Sequence, residues 1–161
     1  MRVLCCLDGT NAEKVGQAVA VFSASQPHSL SILYVIDTGP RKDIEQTRER
    51  FLRPHGKPLP REEEIHLAEH TAAEDILNEG LRYLPGAEKL QRQGRPEREI
   101  VNVAADWQAD LVIVCPRAEY GSKPTIGPKS VGHVARFVLD HAPCPVLLVR
   151  LLTREQFPLS R

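Results

Sequence analysis

No sign of charge dominates this chain: 21 lysines and arginines stand against 21 aspartates and glutamates over 161 residues. A balanced surface carries no electrostatic footprint for nucleic acid, an anionic membrane or another polyanion, so none of these is expected as a partner. No apolar run approaches the roughly 20 residues needed to cross a bilayer. The amino terminus opens on a strand-like run rather than on a charged segment followed by an apolar one, so a soluble, unprocessed protein is expected. The four cysteines show neither CxxC spacing nor a Cys/His cluster with zinc geometry. That removes the usual thiol-based metal site and makes a reduced, cytoplasmic protein the expectation. Internal repeats and low-complexity segments are missing too. So is any Ser/His/Asp set or supported pair of carboxylates, so no catalytic residue is assigned and a binding or regulatory role is favoured over an enzymatic one.

What is present is an alternation of strand-like and helix-like segments. Arg2 to Leu7 is a short apolar run stopped by Asp8-Gly9-Thr10-Asn11, which is turn chemistry leading into a helix cap. From Ala12 to about Ser25 the residues Val15, Ala18, Val19 and Phe22 recur at helical spacing. His28 to Ile36 reads as a second strand. Arg61 to Leu84 reads as a glutamate-rich helix with Ile65, Ala68, Ala72, Ile76, Leu77 and Leu81 inward, closed by Pro85-Gly86. Ala87 to Gln93 is a polar strand suited to a sheet edge.

Pro96 sits where the first turn of a helix accepts proline, and Glu97 to Gln108 places Ile100, Val103, Ala104 and Trp107 on one face. Asp110 to Cys115 is almost wholly apolar, as a strand covered on both faces must be. Ser130 to His141 forms a final helix and Pro145 to Leu152 a final strand. Cys5 and Cys6, being adjacent, point to opposite faces of their strand. Cys144, between two prolines, shapes the turn into the last strand, and no neighbour in sequence lowers its pKa.

Such an alternation specifies an α/β fold with a parallel sheet, right-handed crossovers and a three-layer α/β/α arrangement. The expected organisation is one domain over residues 1–152, with a surface excursion at 38–60 and a polar tail at 153–161. Ligands of such sheets bind beyond the carboxyl ends of the strands, where the winding direction reverses. That rule selects the turn after Leu7, the end of the second strand near Val35 and the loop after Cys115.

These segments resemble the universal stress protein family. RVLCCLDGT is similar to the family's opening strand and its Asp-Gly-Ser/Thr turn, and SILYVID to its second strand. GRPEREIVNVAADWQADLVIV and GHVARFVLDHAPCPVLLVR are similar to its closing half. The resemblance implies a Rossmann-like, five-stranded parallel sheet in the order 3-2-1-4-5, of the adenine nucleotide alpha hydrolase type, and a homodimer joined through the last strand, here Val146 to Leu152.

Family members that bind ATP carry Gly-x-x-Gly and, roughly nine residues on, Gly-Ser/Thr after the fourth strand, where backbone amides hold the phosphates. By position, the resemblance assigns Asp8 and Val35 to nucleoside contacts and Gly132 to the last glycine. At the first two glycines stand Pro116 and Glu119, and His133 replaces the Ser/Thr. Proline offers no amide hydrogen and glutamate adds a negative charge, so a degenerate site that binds ATP or AMP weakly or not at all is expected.

The loop GSKPTIGPKS, residues 121–130, imitates a P-loop without being one: five residues separate its glycines and Pro128 interrupts the Gly-Lys pair. It still leads into a helix start with Gly127, Lys129 and Ser130 in reach of an anion. The candidate nucleotide set is therefore Asp8, Gly9, Thr10, Val35, Gly127, Lys129, Ser130, Gly132 and His133. Asp8 has a second reading as the cap of the turn, and His133 as a solvated first-turn residue or a pH-sensitive gate. His66 and His70 lie one helical turn apart but lack a third ligand nearby in sequence, so no metal is assigned. Two other functions remain open from sequence: a small nucleotide hydrolase or transferase using Lys129, Ser130 and His133, and a ligand-free module that recognises a protein partner through the excursion.

Overall fold

The computed structural model describes residues 1–23, 28–39, 60–116 and 131–150. Arg2–Leu7 forms β1, Ala12–Ser23 α1, Ser29–Asp37 β2, Pro60–Tyr83 α2, Glu88–Gly94 β3, Pro96–Asp106 α3, Leu111–Val114 β4, His133–His141 α4 and Val146–Leu148 β5. The strands pair in parallel, as the alternation of segments leads one to expect, and in the order β3-β2-β1-β4-β5 that the family resemblance implies.

The pleat of the central strands sorts their side chains into two cores. Val3, Cys5, Leu7, Ile32 and Ile113 face one layer with Ala12, Val15 and Val19 of α1 and Leu77 of α2. Leu4, Cys6, Leu33, Val35, Val112 and Val114 face the other, against Ile100, Val103 and Ala104 of α3 and Ala135 and Val138 of α4. Cys5 and Cys6 thus lie in different cores, as their adjacency demands. Each fully buried Val, Leu or Ile contributes roughly 1.5–3 kcal/mol, so the doubly covered strands β1 and β4 anchor the fold.

Helices α1 and α2 cover one face and α3 and α4 the other. The chain therefore winds outward from β1 to β3 on one side, then crosses back on the other to β4 and β5. The direction reverses between β1 and β4, which pair directly through Val3↔Leu111, Leu4↔Val112 and Cys5↔Ile113. A crevice at the carboxyl ends of these two strands follows from that topology.

Three sequence expectations are corrected. In α2 the inward stripe is Ala73, Leu77 and Gly80, with Ile76 and Leu81 half-buried. Ile65 is 40% exposed, and Ala68 and Ala72 are also exposed. The reason is length: 24 helical residues span about 36 Å, more than the roughly 30 Å of the nine-residue β2. The final helix begins at His133 rather than Ser130, because Gly132 stands at its N-cap with φ 80° and ends the preceding turn. The final strand is only Val146–Leu148, with one further backbone bond from Val149 N–H to the Val114 carbonyl. Pro145 cannot donate to the ladder, and its carbonyl instead accepts from Val112 N–H. The excursion at 40–59, the loop at 117–130 and the tail lie outside the described residues.

Candidate functional site

Among the described residues, the turn after β1 is densely hydrogen-bonded. Gly9 has φ 92°, and a Cβ there would come within 3.3 Å of the Ile76 Cδ1 atom, so backbone shape and space both call for glycine. Thr10 donates to Asp8 Oδ1 twice, from its backbone N–H at 2.8 Å and from its hydroxyl at 2.9 Å. Asp8 therefore stabilises its own turn and does not cap α1. The residue at the head of α1 is Asn11, whose carbonyl accepts from Val15 N–H at 3.0 Å.

Asn11 is 2% exposed and ties the turn to the strand behind it. Its amide nitrogen donates to the Cys6 carbonyl and its amide oxygen accepts from Asp8 N–H, both at 3.1 Å. Its side chain also reaches Cys115, just past β4. Burial pushes the Cys115 thiol up to about 11; the Asn11 hydrogen bond opposes the rise and the Asp8 charge adds to it. These couplings bring the turn after β1 and the exit of β4 to the same crevice, as the reversal of winding demands.

The end of β2 forms the neighbouring wall. Leu7 registers with Tyr34, so Val35, one residue further, lies level with Asp8 along the sheet. The Val35 side chain is buried in the core under α3 and α4, which leaves only its backbone for a ligand. Tyr34 is half-buried, and its hydroxyl pKa is raised by burial first and then by the charges of Asp8, Glu69 and Asp37. The carboxyl edge is thus rimmed by carboxylates. Asp37 closes its own turn by accepting from Gly39 N–H at 2.9 Å.

On the opposite face, α3 starts with Pro96 and carries Glu97 and Glu99 in its first turn, where carboxylates favour the helix dipole. Glu97 is only 9% exposed, because α4 packs beside α3. Its Oε1 lies 3.7 Å from His133 Nε2 at the start of α4. The His133 side chain is 77% exposed and also makes a tilted ring contact with Phe137. Gly132 supplies no side chain to cap α4, whose first intrahelical bond runs from Arg136 N–H to the Gly132 carbonyl at 3.2 Å.

Of the nine candidate residues, Asp8, Gly9, Thr10, Val35, Gly132 and His133 fall at the carboxyl edge of the sheet; Gly127, Lys129 and Ser130 lie outside the described residues. Sequence reasoning passed over the buried roles of Asn11 and Glu97. Asparagine after a Gly-Thr turn signalled a cap, but its reach back to Cys6 had no sequence marker. His66 and His70 turn to different partners: His66 Nδ1 faces Glu69 at 3.9 Å, and the ring nitrogens of His70 lie 2.6 Å from Gln91 and Gln93 respectively. A neutral imidazole accepts at one nitrogen only, so one of these glutamines turns its carbonyl oxygen to the ring.

Comparison with known proteins agrees with this arrangement. The model of the "Universal stress protein family" matches residues 1–150. A Thermus aquaticus protein described as a universal stress protein in the QAH/OAS sulfhydrylase 3' region is 31% identical over 151 residues, covering 92% of this chain and 97% of its own. The solved universal stress protein UspA from Lactobacillus plantarum superposes with a TM-score of 0.67 at 22% identity, covering 93% of this chain and 97% of its own. An Arabidopsis thaliana protein of the same family, solved with AMP bound, gives a TM-score of 0.55 at 16% identity, over 99% of this chain and 96% of its own. The reversal of winding at β1 and β4, the Asp8 turn and the match along nearly the whole chain agree: the chain belongs to the universal stress protein family.

Proposed function

We propose that this protein is a non-catalytic stress-response or regulatory module whose crevice receives an adenine nucleotide, ATP or AMP, weakly. The observation that carries the reading is the occupied state of Asp8. Its Oδ1 already accepts both donors of Thr10, so a ribose hydroxyl has to share that oxygen or use the other one. Two facts support weak binding, and a third the ligand class. Pro116, at the exit of β4, has no N–H to offer a phosphate. His133 stands where the family's ATP binders have a hydroxyl, and its imidazole faces Glu97. The AMP-bound neighbour from Arabidopsis makes an adenylate the ligand class to try first. Calorimetry with ATP and AMP in the presence of magnesium tests the reading. The expected dissociation constants are about 0.1–1 mM, equivalent to roughly 4–5.5 kcal/mol. Submicromolar, magnesium-dependent ATP binding would overturn it.

Two further parts belong to the same reading. A homodimer through β5 is supported by its position at the sheet edge and by Leu147, which is 37% exposed there. A cytoplasmic setting is supported by four free cysteines, two of them buried.

A further inference from the structure

The reading of the crevice as an adenine site leaves open which part of a nucleotide it tolerates. Glu97 is a carboxylate held largely out of water on α3, yet it borders the first turn of α4, the place where a bound phosphate would meet free amides. A charge so placed is less screened than one in solvent and acts over several ångströms. Its Oε1 faces the imidazole of His133, whose side chain is mostly in water and carries charge only when protonated. Arg95, two residues earlier, runs along Gly39 at the end of β2. Asp8, Asp37 and Glu69 add negative charge around Tyr34 on the same edge.

We infer that Glu97 sets the charge class of the ligand: it disfavours a polyphosphate at the start of α4 and biases the crevice toward an uncharged nucleoside of the adenosine type. The inference rests on the proposed adenine site and deepens it. Removing the charge while keeping the shape should relieve ATP far more than adenosine, since only the former brings phosphates to the carboxylate.

Calorimetric titration of the full chain and of E97Q and E97D with adenosine, AMP and ATP tests this. The wild type is expected to bind adenosine about tenfold more tightly than ATP, with AMP between them. In E97Q the gap should narrow at least about fivefold through tighter ATP binding alone, and in E97D it should persist. A rise from low to high salt should narrow the gap more in the wild type than in E97Q, because the other carboxylates of the edge are screened alike in both and only the wild type has the Glu97 charge. Equal affinities for ATP and adenosine in the wild type, or an unchanged gap in E97Q, would overturn the inference while leaving the adenine site standing. Binding of none of the three ligands to the folded wild type would overturn both.

Discussion

Asn11 Nδ2 lies 3.1 Å from the carbonyl oxygen of Cys6, five residues back along the chain. That bond lets the turn between β1 and α1 be stapled from within the protein rather than by solvent. With the Asn11 oxygen on Asp8 N–H, one buried amide satisfies a donor and an acceptor that the strand leaves open at its end. The shape of the crevice floor depends on it.

Replacing Asn11 by alanine should therefore strand the buried Cys6 carbonyl and take the partner from the part-buried Asp8 N–H. The expected loss is about 1–3 kcal/mol, read as a lower urea midpoint with an unchanged m-value. A loss below about 0.5 kcal/mol would mean that water enters and replaces the amide.

The buried thiols make stability depend on alkaline pH. Burial pushes Cys5 up to about 12 and Cys115 up to about 11 from an ordinary value near 9, and raises Cys6 well above that value too. Their folded values exceed the unfolded one, so the folded state holds its protons where the unfolded chain releases them. The stabilisation is complete below about pH 9 and is lost as pH climbs toward 11–12, by an amount on the order of a few kcal/mol. Denaturant titrations at pH 7.5 and 10.5 check the direction, with the pH values chosen roughly either side of the free thiol range. At neutral pH the native protein should react with a thiol reagent mainly at Cys144, and at all four cysteines after unfolding.

Gly16 is fixed by its neighbour rather than by its own backbone. A Cβ there would sit 2.8 Å from the Tyr83 Cβ and 3.1 Å from the Tyr83 carbonyl oxygen. Alanine is the better helix former by nearly 1 kcal/mol, yet Gly16→Ala should destabilise by about 1–3 kcal/mol because α1 and α2 must part. Thermal unfolding decides between the two effects.

If β5 is the dimer edge, a charge at Leu147 should separate the copies without unfolding either one. Light scattering is expected to give twice the chain mass for the wild type and the chain mass for Leu147→Arg, with unchanged circular dichroism. A monomeric wild type at micromolar concentration would remove the dimer from the reading.

How far the sequence could be read follows from which forces are local. RVLCCL and LVIVC announce central strands because both faces are apolar, and their alternation with helices makes the sheet parallel; the strand order comes from the family resemblance, since alternation alone is compatible with several orders. The polar β3 was legible by its place between two helices, its edge position by residues such as Lys89 and Arg92. The stripe of α2 was read too long because apolar spacing continues through Ile65, Ala68 and Ala72 although the sheet beneath has ended; periodicity contains no information about the length of the partner. Asp8 could be placed at the crevice from its turn, but whether its carboxylate served a ligand or the chain was decided by Thr10. Glu97 was invisible as a buried group because a glutamate in a first helical turn is ordinarily solvated, and α4, which packs beside it, comes more than thirty residues later.

The overhang of α2 makes this helix one object in geometry and two in cooperativity. Residues 63–68 are exposed throughout, whereas Ala73 and Leu77 further along are locked into the core. Isolated helical turns without a packed face are marginal in water. The overhanging stretch is thus the one whose amides open most readily and whose ordering is easiest to bias, so hydrogen exchange there should outrun exchange around Ala73 and Leu77.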